Sequence, residues 1–286
     1  MRSLLVLASI VSWPPDLTTV LLAVAVLLVL ALAWPMLLRW NRERPIRQLL
    51  GRVATETGAI TCFVRGMFVP ANEFFSRAPE YPPRPGGGVT VHKWANIPEV
   101  HSASDVRALA QLLQLLAATN HRLTFSCQSG DWTRQSWNDD AFAIGPHYAS
   151  QLTLDTCEPR LVTFRYPAAF RSLVSQDVFE TRAGWDYGLI YKGEHPATHR
   201  ACWVVMGLGD LGTEAAAWFL RVNARMLGLF TGSRPFAAIV AVDSKRGRDA
   251  AILRWLQPKP SWWRRFLYRR RWQQLRGEAE GRVVTT

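Results

Sequence analysis

The chain has 286 residues, 49% of them hydrophobic, and a formal net charge of +12 at pH 7. This basic excess favours anionic lipid or nucleic acid as a surface partner. The four cysteines, at positions 62, 127, 157 and 202, include no CxxC pair and have no histidine at zinc-finger spacing, so we predict no metal site and a reducing compartment.

Residues 1–16 form a short apolar leader, and residues 17–38 form an uncharged apolar run. About 20 residues with a rise of 1.5 Å each match a hydrocarbon core of roughly 30 Å, and such a segment must be helical in lipid. A basic juxtamembrane segment at 39–58 follows, with arginines at 39, 42, 44 and 47. The positive-inside rule therefore predicts a single-pass anchor in a bacterial-type inner membrane, with the following domain in the cytoplasm.

Two alternatives exist for this apolar run. Residues 31–33, Ala-Leu-Ala, resemble a signal-peptide cleavage site. We favour an uncleaved anchor because Asp16, and no basic residue, abuts the run, which continues past Pro35 to Leu38. A buried core helix is disfavoured by the length and apolarity of the run. The run carries no clear self-association signal, so homo-oligomer formation stays open.

Helices and apolar strands alternate over residues 59–258, which predicts one α/β layered domain. Helical periodicity predicts helices over 102–119 and 213–229, and prolines and glycines predict a loop over 70–88. Runs rich in β-branched and aromatic residues predict strands at 60–69, 123–127, 140–145, 161–166, 187–192, 201–206 and 236–242, with a strand or short helix at 250–256. The strands between 140 and 206 indicate an antiparallel pair, so we expect a Rossmann-like domain with a mixed sheet.

The sharpest motif is a GxGxxG pattern formed by Gly207, Gly209 and Gly212, with a predicted strand before it and a helix from Thr213. Glycines permit close backbone approach, and the amides of a helix N-terminus can donate to a phosphate. Asp243 ends the next strand, where a dinucleotide fold places a ribose-binding carboxylate, although the interval exceeds the expected ~20 residues. We predict a phosphate or nucleotide contact here. A glycine-lined turn without a ligand is the alternative.

A second polar turn, with Gly145 and His147, follows the predicted strand at 140–145. Ligand crevices of open α/β sheets lie outside the carboxyl ends of the strands. If the strands ending at Gly145 and Gly207 are neighbours, both turns face one nucleotide-binding cleft.

Over residues 120–245, the Gly145-Pro146 turn and the glycine loop resemble the nucleoside deoxyribosyltransferase-like and TIR-like group of bacterial proteins. The resemblance implies a nucleotide cleft and a catalytic glutamate. Glu214, in the first turn after the glycine loop, is the candidate, ahead of Glu158, Glu180 and Glu194. A charge that matches the helix dipole explains Glu214 equally well.

The C-terminal tail, residues 259–286, combines tryptophan with arginine. This composition is typical of a helix in the membrane interface, although arginine and aromatic residues also bind nucleic acid. Because the anchor already holds the chain beside lipid, we favour anionic lipid headgroups over nucleic acid as the partner. On a helix, Leu267 shares a face with Trp262, Trp263 and Phe266. The predicted interface residues are Trp262, Trp263, Arg264, Arg265, Phe266, Arg269, Arg270 and Trp272.

Three functions remain open from the sequence. The first is a membrane-anchored module that binds a nucleotide or another phosphorylated ligand in bacterial signalling or defence. The second is an enzyme that cleaves an N-glycosidic bond with Glu214 or another glutamate. The third is a non-catalytic membrane scaffold.

Overall fold

The computed structural model describes residues 17–54, 59–64, 66–67, 100–119, 124–129, 139–146, 148–165, 169–182 and 184–277. The predicted leader, the 70–88 loop and His147 lie outside these residues. The chain divides into two compact units, Met1–Arg44 and Pro45–Thr286. The helices are α1 (Leu17–Leu50), α2 (Ala103–Thr119), α3 (Tyr148–Thr156), α4 (Asp210–Thr231), α5 (Trp262–Leu267) and α6 (Arg269–Leu275), with short 3-10 turns at Gly51–Ala54 and Arg248–Ala250.

The first unit contains most of α1. Among the described residues, one stretch is long and apolar enough to cross a membrane, Val20–Leu38, with 19 residues and a mean hydropathy of 2.8. Its large apolar side chains that the structure describes are exposed, Met36 to 75%. The helix continues to Leu50, so the predicted juxtamembrane segment at 39–58 is largely helical.

The strands, in chain order, are β1 (Ala59–Val64), β2 (Gly66–Met67), β3 (Val100–His101), β4 (Thr124–Ser129), β5 (Asp140–Ile144), β6 (Val162–Arg165), β7 (Ala169–Ser172), β8 (Val178–Glu180), β9 (Trp185–Glu194), β10 (Ala201–Gly207), β11 (Phe236–Asp243) and β12 (Ile252–Gln257). Seven of them form the central sheet in the order β12-β11-β9-β10-β5-β1-β4. The half from β4 to β10 is parallel, whereas β9, β11 and β12 pair antiparallel. The predicted mixed α/β sheet is confirmed.

Both faces of the central sheet are covered, which explains why β10 and β11 read as continuous apolar runs. One face packs against α2, α4 and the end of α1, where Leu49 and Leu50 are fully buried. The other face packs against α3 and a small antiparallel sheet formed by β6, β7 and β8.

Several predicted bounds differ from the structure. The strand predicted at 60–69 is divided into β1, which ends at Val64, and β2 (Gly66–Met67). The helix predicted from Thr213 begins at Asp210. The ambiguous 250–256 segment is a strand. Sequence reasoning missed α3, β7 and β8, which are short elements of three to nine residues. Such lengths leave little periodicity to detect.

Candidate functional site

The carboxyl ends of β5, β10 and β11 lie at one edge of the sheet. β5 and β10 are adjacent parallel strands, and the Gly145 N–H donates to the Val205 carbonyl at 2.9 Å. The two predicted turns, at Gly145 and at Gly207, are therefore neighbours. Asp243 ends β11 at the same edge, with β9 between it and the glycine loop.

The glycine loop encloses a carboxylate of the chain itself. Asp186, the second residue of β9, is only 8% exposed. Its Oδ1 accepts the N–H of Gly209 at 3.0 Å, and its Oδ2 accepts the N–H of Gly212 at 2.7 Å. The Tyr187 N–H also donates to Oδ1, at 2.7 Å. The amides predicted to hold a phosphate thus hold Asp186 at the amino terminus of α4, where a negative charge is favourable.

Burial raises the pKa of Asp186 above its usual value, and the N–H donors of Gly212, Tyr187 and Gly209 oppose that shift. The nearby Asp210 carboxylate raises it further. Desolvation therefore favours the protonated carboxyl group of Asp186, whereas the three N–H donors favour its ionised form.

Gly212 also serves the packing of α4 on the sheet. A Cβ at this position would overlap the Tyr187 carbonyl, and one at Gly188 of β9 would overlap the Gly212 carbonyl. Only glycines allow this direct crossing of α4 over β9. The glycine pattern has a packing role that is independent of any ligand.

The predicted catalytic residue, Glu214, lies one turn into α4 and binds two arginines. Its Oε2 is 2.8 Å from Arg107 Nε of α2, and its Oε1 pairs with Arg248 Nη1. The Glu214 side chain is 11% exposed. Both oxygens are therefore engaged in joining α2, α4 and the 3-10 turn after β11.

The amino terminus of α2 completes this edge. Ser104 Oγ donates to Asp210 Oδ1 at 3.2 Å, and Ser102 Oγ lies 2.6 Å from Ser104 Oγ. The Asp105 carboxyl packs directly on Gly145, which has a φ of +91° and leaves no room for a Cβ. Ser104 and Asp105 thus contact residues that are distant from them in sequence, and sequence patterns do not reveal such contacts.

The remaining predicted residues of this edge are Asp243 and Thr213. Asp243 Oδ1 accepts the Lys245 N–H at 2.9 Å and so caps a turn. Thr213 is buried, and its Oγ1 has no hydrogen-bond partner among the described residues. No cluster of three metal-ligating side chains occurs in the part of the chain that the structure describes.

The tail forms a second candidate site. Two short helices, α5 and α6, replace the single helix that the pattern predicts, and they meet at Tyr268. α5 leaves four large apolar side chains exposed by 56–68%: Trp262, Trp263, Phe266 and Leu267. Arginines 265, 269 and 270 are also exposed.

Two of the predicted interface residues also contact the domain. Trp272 is half-buried and meets Phe230 edge-to-face, with ring centroids 5.0 Å apart. Arg264 Nη1 donates to the Phe230 carbonyl at 3.0 Å, at the end of α4. These contacts fix α5 and α6 on the domain surface.

Comparison with known proteins gives no relative for this chain. No family model, curated protein or solved structure matches it.

Proposed function

We propose that the chain is a single-pass protein of a bacterial inner membrane whose α/β domain lies against the cytoplasmic surface of the bilayer. The observation that carries the proposal is α5, whose Trp262, Trp263 and Phe266 are exposed beside arginines. An aromatic and basic helix of this kind favours the boundary between headgroups and acyl chains. The apolar stretch Val20–Leu38 supplies the anchor that keeps the domain at that surface.

At the membrane, we propose that the domain acts as a non-catalytic scaffold. Both features predicted to perform chemistry already have internal partners. The Asp186 carboxylate accepts hydrogen bonds from the N–H groups of Gly209 and Gly212. The Glu214 carboxylate forms ion pairs with Arg107 and Arg248. This arrangement supports a structural role for the glycine loop and for Glu214, and gives the glycosidic-bond-cleaving alternative little support.

Two measurements on the full chain test the membrane proposal. Protease digestion of inverted inner-membrane vesicles should degrade the domain, whereas digestion of intact spheroplasts should spare it. In reconstituted vesicles, brominated lipids should quench tryptophan fluorescence less in the Trp262→Tyr/Trp263→Tyr variant than in the wild type. Protection in inverted vesicles, or identical quenching of both proteins, contradicts the proposal.

A second candidate is a Rossmann-like domain that binds a nucleotide or phosphorylated ligand. It is favoured by the convergence of Gly145 and the glycine loop at the carboxyl ends of adjacent parallel strands. A phosphate at this loop has to displace the Asp186 carboxylate. A ligand at 100 times its dissociation constant stabilises a protein by about 2.7 kcal/mol, so thermal unfolding of the full chain in detergent against a nucleotide panel tests it. A flat panel contradicts this candidate.

A further inference from the structure

A cavity of about 250 Å³ lies between the last strand of the sheet, β12, and the two C-terminal helices. Its walls come from β12, from the segment that follows it, and from α5 and α6. Four cationic side chains line it: Arg254, Lys259, Arg265 and Arg276. Its apolar wall includes Trp255 and Trp272.

The described residues that line this cavity carry charges of one sign only. No carboxylate is among the described residues that line it. Within the ranges that the structure describes, Arg254, Lys259 and Arg265 form no ion pair. Cations gathered without counter-charges repel one another, and an anion relieves that repulsion. Arginine suits a phosphate in particular, because its planar fork of donors matches two phosphate oxygens.

The walls of the cavity are fixed by contacts outside it. Arg264 holds α5 to the last turn of α4 through the Phe230 carbonyl, and Trp272 packs α6 against the Phe230 ring. Trp255 is held on the other side by its Nε1, which donates to Ser175 Oγ at 3.2 Å. The cavity is therefore formed before any ligand binds, which lowers the ordering cost of binding.

The size and position of the cavity indicate which class of ligand it binds. Its volume is below the roughly 300–1,000 Å³ of most small-molecule sites, and it suits one phosphate-bearing group better than a whole nucleotide. Arg265 lines the cavity and belongs to α5, whose Trp262 and Phe266 are exposed. A phosphate in the cavity therefore sits beside the side chains that we place in the bilayer interface.

We infer that this cavity binds the phosphate headgroup of an anionic phospholipid, whose acyl chains remain in the bilayer beside α5. The inference rests on the proposed membrane contact of α5. It adds a specific headgroup site, formed by Arg254, Lys259 and Arg265, to the general attraction of a basic surface for anionic lipid.

Native mass spectrometry of the full chain in detergent, titrated with phosphatidylglycerol or phosphatidylcholine, tests the inference. The Arg254→Gln/Lys259→Gln/Arg265→Gln variant should lose about 100-fold in affinity for phosphatidylglycerol, since each cation contributes about a factor of five. The matched control, Arg160→Gln/Arg182→Gln/Arg225→Gln, removes the same charge from exposed arginines outside both the cavity and the tail and should lose less than about fivefold. If the triple cavity variant unfolds, Arg265→Glu alone, at an exposed position, should lose at least about tenfold.

Equal losses in the cavity and control variants, or no preference of the wild type for phosphatidylglycerol, overturn the inference. Tight binding of soluble glycerol 3-phosphate or inorganic phosphate would assign the cavity to a free phosphate and overturn the lipid assignment. Quenching of Trp262 and Trp263 by brominated lipids is measured in parallel on the same proteins. If that quenching persists while the headgroup preference is absent, the headgroup site fails and the membrane contact of α5 stands; if quenching is also absent, the membrane proposal itself fails.

Discussion

Asp186 Oδ2 accepts the backbone N–H of Gly212 at 2.7 Å, in the first turn of α4. The N–H groups of Gly209 and Gly212, which we predicted to donate to a phosphate, thus donate to a carboxylate of the chain itself. The loop keeps the glycine spacing of such a motif, but its donors are engaged within the fold.

Removal of Asp186 should destabilise the domain and open its amides to an anion. We expect Asp186→Ala to lower the free energy of unfolding by about 2–3 kcal/mol, because hydrogen bonds from Tyr187, Gly209 and Gly212 are lost. Phosphate should then stabilise the variant more than the wild type in denaturant titrations of the full chain. Asp249→Asn, at an exposed aspartate, is the control and should change stability by less than about 0.5 kcal/mol. If the denaturant midpoint of Asp186→Ala equals that of the wild type, these hydrogen bonds do not stabilise the fold.

Glu214 should act through its two arginines. We expect Glu214→Gln to cost about 1–2 kcal/mol of unfolding free energy, because the ion pairs with Arg107 and Arg248 are partly exposed. A double-mutant cycle with Arg248→Gln should give a positive coupling energy, whereas one with the distant Arg171→Gln should give none. A coupling energy of zero between Glu214 and Arg248 would contradict the structural role of Glu214 and favour a catalytic one.

Lys192 should make stability depend on pH. Burial lowers its pKa to about 8 from 10.5, with the Asp140 and Glu194 charges opposing the shift. Between these values the unfolded chain holds a proton that the folded chain has lost, so this group adds stability as pH rises from about 8 to 10.5. The difference in unfolding free energy between wild type and Lys192→Met should grow by up to about 3 kcal/mol over that range. Lys245→Met, at an exposed lysine, is the matched control, and a flat difference for Lys192→Met contradicts the prediction.

Gly228 should tolerate no side chain. A Cβ at this position of α4 would overlap the carbonyl of Pro45, near the end of α1. We expect Gly228→Ala to cost about 1–3 kcal/mol, as overpacking does, and to speed proteolysis around residues 45–50. The exposed Val222→Ala change on the same helix should cost much less. Equal effects of the two changes would exclude the close approach.

The fold was predicted from sequence where its elements are long or strongly patterned. The apolar helix, α2 and the strands of the parallel half follow from periodicity and from β-branched runs. Within α2, however, the apolar Val106 is 48% exposed whereas Ala108 is buried, because the sheet and α4 decide which side of the helix is covered.

The site was harder to predict than the fold. Asp186 stands at the start of a strand, and nothing local marks it as the partner of Gly209 and Gly212, which lie 23 and 26 residues later. Arg107 is likewise far in sequence from Glu214. The pairing of β9 with β10 creates the Asp186 contacts, and the packing of α2 beside α4 creates the Arg107–Glu214 ion pair. Sequence patterns reveal neither arrangement.

Photo-crosslinking of α5 to lipid tests the membrane contact of the domain most directly. Benzoylphenylalanine replaces Phe266, 65% exposed on α5, or Val174, 52% exposed on the turn after β7, in the full chain reconstituted with phosphatidylglycerol-containing vesicles. Contact of α5 with the bilayer predicts a strong lipid adduct at position 266 and a weak one at position 174. Equal adduct yields at the two positions, or none at position 266, would contradict the contact.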